Sequence, residues 1–382
     1  LEEHGHEVQY FGLENKKNIV GNRVESYMTD MDFSKGIKAN LNAPFRIIYS
    51  REARKKIRAV LDDFQPDVVH LNNIQYHLTP SIILEINKWR KQTKKQCRII
   101  YTTHDYQLVC PSHGMFDVNM KPCERCLDGH YIHCFQTKCL KNSRAKSLLG
   151  TLDGYMWKYS KAYSYVDAYI CCSFFLKSKL DTQKRFRDKT IGLHNFKKEM
   201  PHLDNIQKKG YVLEFGHLSR DKGTDTLLEV AKKMPNTEFV FIGYGPSVDK
   251  MKDIPNVKYL GFKTGEELYR IIAEAAISVC PSEWYENCPY SVMESVLLGT
   301  PVVGSKMGGI PELIEPGKTG ELFEAGNVED LMKAIKKVLQ TQDILERYTK
   351  NCSQVKYETT ESYYIKLMKI YRGEKNVEKI AS

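Results

Sequence analysis

The chain has 382 residues and a 42% hydrophobic content, which bounds it at two or three globular domains of about 100–200 residues each; no run of about 18 apolar residues offers a membrane span. Its net charge of +10 is unevenly held: residues 1–195 carry 31 Lys and Arg against 20 Asp and Glu, a surplus of +11, and residues 196–382 carry 26 against 27. A basic half attracts nucleic acid, anionic membrane or phosphorylated substrates, or is only a solvated face; with no five consecutive Lys or Arg and no nucleic-acid-binding motif, nucleic acid is not an expected partner.

The chain opens on LEEHGHEVQYF, read as a helix end, a stop at Gly5 and a strand over 6–11. A βαβ unit needs a strand before that helix, so the reading expects a piece lacking its first strand and loop. Further strands are expected at 67–71, 98–103, 168–173, 190–194, 211–215, 238–242, 257–260, 277–280, 301–304 and 320–323. Helical patterns separate them, as at 224–234 and 328–339. This alternation predicts an α/β protein with parallel sheets covered on both faces. The polar stretch 196–210 reads as a linker between two doubly wound, Rossmann-like domains, 1–195 and 196–353. Ligands are expected in the cleft beyond the strand ends. The remainder, 354–382, holds a last helix over 354–371.

Candidate chemistry stands at the strand ends. Asn72 and Asn73 follow the strand 67–71 and offer amides to a sugar, or serve as plain turn residues. His104-Asp105 ends the strand RIIYTT. Five of the eleven cysteines then crowd into 110–139: Cys110, Cys123, Cys126, Cys134 and Cys139, with His113, His130 and His133 between them. The C-x-x-C knuckle at 123–126 suits a tetrahedral ion, and a structural zinc would stabilise a segment that lacks a core of its own. Which four of the five thiols bind it stays open, as do a disulfide and unliganded thiols. Disulfide frameworks belong to small secreted chains, so a reducing, cytoplasmic compartment is expected.

In the second half, Gly216-His217-Leu218-Ser219-Arg220-Asp221-Lys222-Gly223 lies between a strand and a helix. Lys222 supplies a point charge there and the helix start supplies N–H donors, a phosphate site. Gly243 sits in a tight turn after the next strand. Further on, Glu286 and Glu294 stand eight positions apart. Pro289 opens a short helix between them and Gly299 closes it. Glu286 then lies in the loop before the helix and Glu294 in its second turn, an acid on each side of a helix start that draws anions.

The string PSEWYENCPYSVMESVLLGTPVVGSKMGGIPELIEPGKTGELFEAGN at 281–327 resembles the E-x7-E block of retaining family-four glycosyltransferases of the GT-B fold. Their G-G-I-P-E and G-x-T-G-x-L-F-x-x-G-N segments follow it. The 216–223 loop resembles their G-R-L-x-x-x-K-G donor loop, and His104-Asp105 their H-D. The resemblance covers nearly the entire chain and is strongest over 211–327. It implies transfer of a sugar from a nucleotide-sugar donor to a hydroxyl of a glycan or lipid-linked glycan. It further implies retained anomeric configuration and no cofactor for the chemistry; the basic first half adds the expectation of a peripheral contact with anionic membrane, at the inner face of the cell membrane. Carried over residue by residue, the resemblance makes His104, Lys222 and Glu286 catalytic. Gly216, His217, Arg220, Lys222, Gly223, Gly243, Asn287, Cys288, Pro289 and Glu294 would hold the donor, Glu294 through the ribose hydroxyls. Asn72, Asn73, His104 and Asp105 would meet the acceptor. One departure stands out: the family's Arg falls on His217. Either Arg220 replaces that charge or the donor is held more weakly. A similar Cys-rich insertion follows H-D in some bacterial polysaccharide glycosyltransferases, and the family's last helix crosses back to the first domain. The competing readings are a GT-B nucleotide-sugar epimerase or sugar-phosphate synthase, and a zinc-stapled nucleic-acid-binding protein. The last leaves Lys222, Glu286 and Glu294 without a use.

Overall fold

In the computed structural model, residues 1–29, 43–75 and 77–374 are described. Among the described residues, ten strands form two all-parallel sheets. The first sheet runs in the order β1 (Val68–Asn72), β2 (Arg98–Thr103), β3 (Ala168–Cys171), β4 (Thr190–Gly192). The second holds β5 (Val212–His217), β6 (Phe239–Tyr244), β7 (Val257–Tyr259), β8 (Ile277–Cys280), β9 (Val302–Ser305) and β10 (Gly320–Phe323), in the order β10-β9-β8-β5-β6-β7. Strands covered on both faces read as continuous apolar runs; Ala168-Tyr169-Ile170-Cys171, buried throughout, is such a run. The chain leaves β5 for β6 and β7 on one side, then returns to β8 on the other. The order therefore reverses between β5 and β8, and a ligand crevice opens beyond their carboxyl ends.

Two expectations are corrected. Residues 6–11 join neither sheet. Their neighbourhood folds instead against residues 21–28, with Tyr10 N–H donating to the Gly21 carbonyl at 2.9 Å and a single bridge between Leu13 and Met28. An apolar run becomes a strand only where a ladder partner lies beside it, and the described residues supply none here. Gly5 does stop the opening turn, with φ 77°. The last helix starts later than its apolar pattern, at Thr360, because Thr359 and Ser362 form a reciprocal capping box.

That helix, Thr360–Arg372, packs Leu367 and Ile370 against Ile100, Ala168, Ile170 and Leu193 of the first domain. A second tie comes from the G-G-I-P-E segment. Both Glu312 carboxylate oxygens accept backbone N–H groups, from Phe174 at 2.8 Å and Phe175 at 2.6 Å, where the helix Phe174–Leu180 begins. His194 Nε2 meets the same carboxylate at 2.7 Å. An acid at a helix start is stabilised by the free N–H groups there, so a side chain of one domain caps a helix of the other. Among the described residues no helix is long and apolar enough to cross a membrane.

Candidate active site

The β5–β8 crevice holds a pocket of ≈ 330 Å³ whose lining includes Gly216, His217, Lys222, Glu286, Pro289 and Glu294. The 216–223 loop reaches it because Gly223 takes φ 79° and presses on the next strand end. A Cβ at Gly223 would stand 1.9 Å from the Pro281 carbonyl oxygen. Gly223 also caps the helix Thr224–Lys233, so Lys222, which lines the pocket, stands one residue before a helix start. The loop bearing Glu286 is fixed from the far side by Gly308 and Gly309. A Cβ at Gly309 would fall 1.8 Å from the Asn287 carbonyl oxygen, and its N–H donates to the Glu286 carbonyl at 2.7 Å.

The two acids are each paired with a cation. Lys222 Nζ donates to Glu286 at 2.5 Å and stands 4.8 Å from the centre of the Trp284 ring; the Ser282 hydroxyl adds a second donor to Glu286 at 3.2 Å. Glu294 lies in the second turn of the helix Tyr290–Leu297, with Pro289 one place before its first residue, and pairs with Lys197. Burial pulls the Lys197 ammonium pKa down, but the Glu294 carboxylate outweighs it and the net shift is upward. Lys197 comes from the linker, where neither spacing nor motif flags it. Sequence reasoning also missed Glu214. This buried carboxyl, on the pocket floor, accepts the Thr224 hydroxyl at 2.8 Å, and its other oxygen has no partner. Burial pushes its pKa up to about 8, so it is mostly protonated at neutral pH. The signal was a lone Glu inside the apolar run YVLEF.

Other expected donor residues lie outside the lining. Arg220 is exposed, and its charge acts on Asp225 rather than on the pocket; His217 lines the pocket and packs edge-on against Tyr244. Gly243 pairs with Gly216 in the ladder. Cys288 is buried in the apolar cluster shared by both domains, its thiol 3.8 Å from Met293 Sδ. Asn287 spans the cleft and donates to the His104 carbonyl at 2.7 Å.

On the facing domain, His104 Nε2 lies 3.3 Å from Asn72 Oδ1. Crowding by the surrounding protein pulls the His104 pKa below the usual value, despite Asp105; the ring is neutral at pH 7. Asp105 turns back to accept the Gln107 N–H at 2.9 Å. Asn72 and Asn73 line a second pocket, of ≈ 410 Å³, with Tyr10, Tyr27, Gln75 and His77.

All five clustered cysteines line one narrow space of ≈ 10 Å³. Every cysteine of the chain is free, and Cys139 Sγ donates to Cys134 Sγ at 2.7 Å. Among the described residues no group of three or more His, Cys, Asp or Glu side chains is placed to hold a metal ion. The expected zinc site is thus not formed as a ligand set here: Cys139 contacts Cys134, and Cys110 contacts the Ser112 hydroxyl at 3.2 Å. The segment does touch the loop bearing Glu286. Tyr285 OH donates to Glu124 at 3.1 Å, and the Phe116 and Trp284 ring centres are 6.0 Å apart.

Comparison with known proteins agrees with this geometry. The description Glycosyltransferase Family 4 matches residues 1–195, and Glycosyl transferases group 1 matches residues 195–355. The sulfoquinovosyl transferase SQD2 of Arabidopsis thaliana is 33% identical over 146 residues, 36% of this chain and 28% of its own length. The amylovoran biosynthesis glycosyltransferase AmsK of Erwinia amylovora is 30% identical over 166 residues, 39% of this chain and 41% of its own length. The matched regions thus span less than half of these two relatives. Among solved structures, Anabaena Alr3699/HepE, in complex with UDP and glucose, aligns with a TM-score of 0.60 at 15% identity, covering 91% of this chain and 85% of that one. Sucrose-phosphate synthase from Thermosynechococcus elongatus aligns with a TM-score of 0.61 at 17% identity, covering 84% and 77%. These likenesses establish the GT-B arrangement of two parallel-sheet domains. With its first 195 of 382 residues matched to one description and its second domain to the companion one, the chain belongs to glycosyltransferase family 4.

Proposed function

We propose that this protein moves a sugar from a nucleotide-sugar donor to a hydroxyl of a glycan or lipid-linked glycan, with retention of anomeric configuration. The observation that carries the reading is the pairing of Lys222 with Glu286, and of Lys197 with Glu294, around one pocket at a helix start. A diphosphate there meets Lys222 and the free N–H groups of the helix Thr224–Lys233, while Glu294 receives the ribose hydroxyls. The UDP complexes of HepE support a nucleotide-sugar donor. The acceptor enters from the pocket of Asn72 and Asn73, whose amides and aromatic rings suit a sugar. The acceptor oxygen bonds to the sugar carbon on the face from which the diphosphate departs. Its proton passes to the leaving phosphate oxygen, and Lys222 stabilises the developing charge. His104 and Glu286 orient the reacting sugar. This reading places the protein in the cytoplasm, at the inner face of the membrane.

Proton NMR of products formed from a panel of nucleotide sugars with glycan and lipid-linked acceptors tests the reading. The expected product keeps the donor's anomeric configuration. An inverted linkage would overturn retention; an epimerised nucleotide sugar, or a glycosylated sugar phosphate, would move the chain to the epimerase or synthase reading.

For the Cys-rich segment we also propose a structural zinc. What supports it is that five thiols face one space the size of a single small sphere; binding then requires the Cys134–Cys139 contact to open. Protein purified without added metal should hold about one equivalent of zinc. Less than about a tenth of an equivalent, with all five thiols alkylated in the native state, would overturn it.

A further inference from the structure

The helix Arg144–Tyr159 is amphipathic in the wrong sense for a surface helix facing water. It buries Ser147, Thr151 and Trp157, and its glycines Gly150 and Gly154 lie against Leu140 and Tyr131. Its outer face is apolar: Leu148 is 43% exposed, Leu152 50% and Tyr159 72%. Spacings of four, three and four put Leu148, Leu152, Tyr155 and Tyr159 on one stripe, where polar residues are the rule. Tyr155 extends this surface. Its ring stacks on Tyr159 with centres 6.0 Å apart, and its hydroxyl accepts the N–H of Ile132, itself 40% exposed.

Along the chain around the stripe positive charge prevails, and Asp128, just before it, is paired with His130. Residues 129–166 hold Lys138, Lys141, Arg144, Lys146, Lys158 and Lys161, and their one acid is Asp153. That carboxyl accepts Trp157 Nε1–H at 2.9 Å, and burial pushes its pKa up to about 7. Partly protonated near neutral pH and held by Trp157, it offers the surface only part of a negative charge. Among the described residues Lys138, Lys141, Arg144, Lys146 and Lys161 have no carboxylate partner.

We propose that this face docks on an anionic bilayer, the apolar stripe entering the headgroup boundary and the cations meeting lipid phosphates. The chemistry of the patch, exposed Leu and Tyr with a ring of unpaired cations, matches that surface. A second copy of the chain fits worse, since a twofold contact would set the same unpaired cations against each other. The proposal deepens the reading of a lipid-linked acceptor and rests on it for its purpose, not for its test.

Flotation of the full chain with phosphatidylglycerol–phosphatidylcholine vesicles, against phosphatidylcholine alone, decides it. The protein should float with the anionic vesicles, less so as salt rises, and sink with the neutral ones. Leu148→Ser with Leu152→Ser and Tyr159→Ser should weaken vesicle binding about tenfold or more, and each of Lys141→Ala and Arg144→Ala about fivefold. Nucleoside diphosphate affinity should be unchanged in all of them, which shows that they fold and separates this test from that of the donor site. Failure of the unaltered chain to float, or flotation of the triple variant equal to it, overturns the proposal. So does a triple variant that turns a dimer into a monomer when no form binds vesicles.

Discussion

The β5–β8 pocket is an arrangement of opposite charges that a bound ligand must rearrange. Lys222 sits on Glu286 and Lys197 on Glu294, so a diphosphate competes with one carboxylate and ribose hydroxyls with one ammonium. The spacing of the two acids was visible in the sequence, because the E-x7-E interval brackets a helix start. Lys197 was not, since a linker lysine carries no periodic or motif signal; only the fold brings it 97 residues along the chain to Glu294. Glu214 is the other hidden residue, and it yields a pH prediction. Its folded pKa of about 8 lies above its ordinary 4.5, so the folded state binds the proton more tightly. Stability from this group is intact below pH 4.5 and is lost as pH rises towards 8. Glu214→Gln removes that loss. Denaturant melts should show the variant gaining on the parent by on the order of 3 kcal/mol between pH 5 and 8. A gap independent of pH would mean that Glu214 is ionised in the fold.

Elements were most legible where burial is symmetric. Strands covered on both faces read as short runs rich in apolar residues, and the expected bounds of Ile277–Cys280 and Gly320–Phe323 hold end to end, although Ser278 and Glu321 interrupt them. Residues 6–11, HEVQYF, carry a strand-like alternation but lack a ladder partner among the described residues, and no local signal reveals that. Loops were less legible because neighbouring residues point to opposite sides. Glu286 and Pro289 line the pocket, whereas Cys288, between them, turns into the interdomain core. The loop's path depends on close backbone approach at Gly308 and Gly309. Gly309→Ala should therefore displace the Asn287 carbonyl, lower Tm by several degrees for a cost of about 1–3 kcal/mol, and weaken nucleotide binding. Calorimetry with and without a nucleoside diphosphate checks both effects, and an unchanged Tm would show that the loop yields freely.

At the scale of the whole molecule, the two sheets are joined by Glu312 capping a helix of the other domain, by the shared apolar cluster, and by the last helix lying on the first sheet. The Cys-rich segment reaches the loop bearing Glu286 through Glu124 and Phe116. The two pockets proposed for donor and acceptor thus sit on domains tied together, as transfer between two bound substrates would require. The central claim is that the β5–β8 crevice holds a nucleoside diphosphate between Lys222 and Glu294. Isothermal titration of nucleoside diphosphates into the unaltered protein, Lys222→Ala and Glu294→Ala tests it directly. The account predicts saturable binding by the unaltered protein and a loss of about 10–100-fold in each variant, the scale of one charge-assisted hydrogen bond. Equal affinity in all three proteins would contradict it.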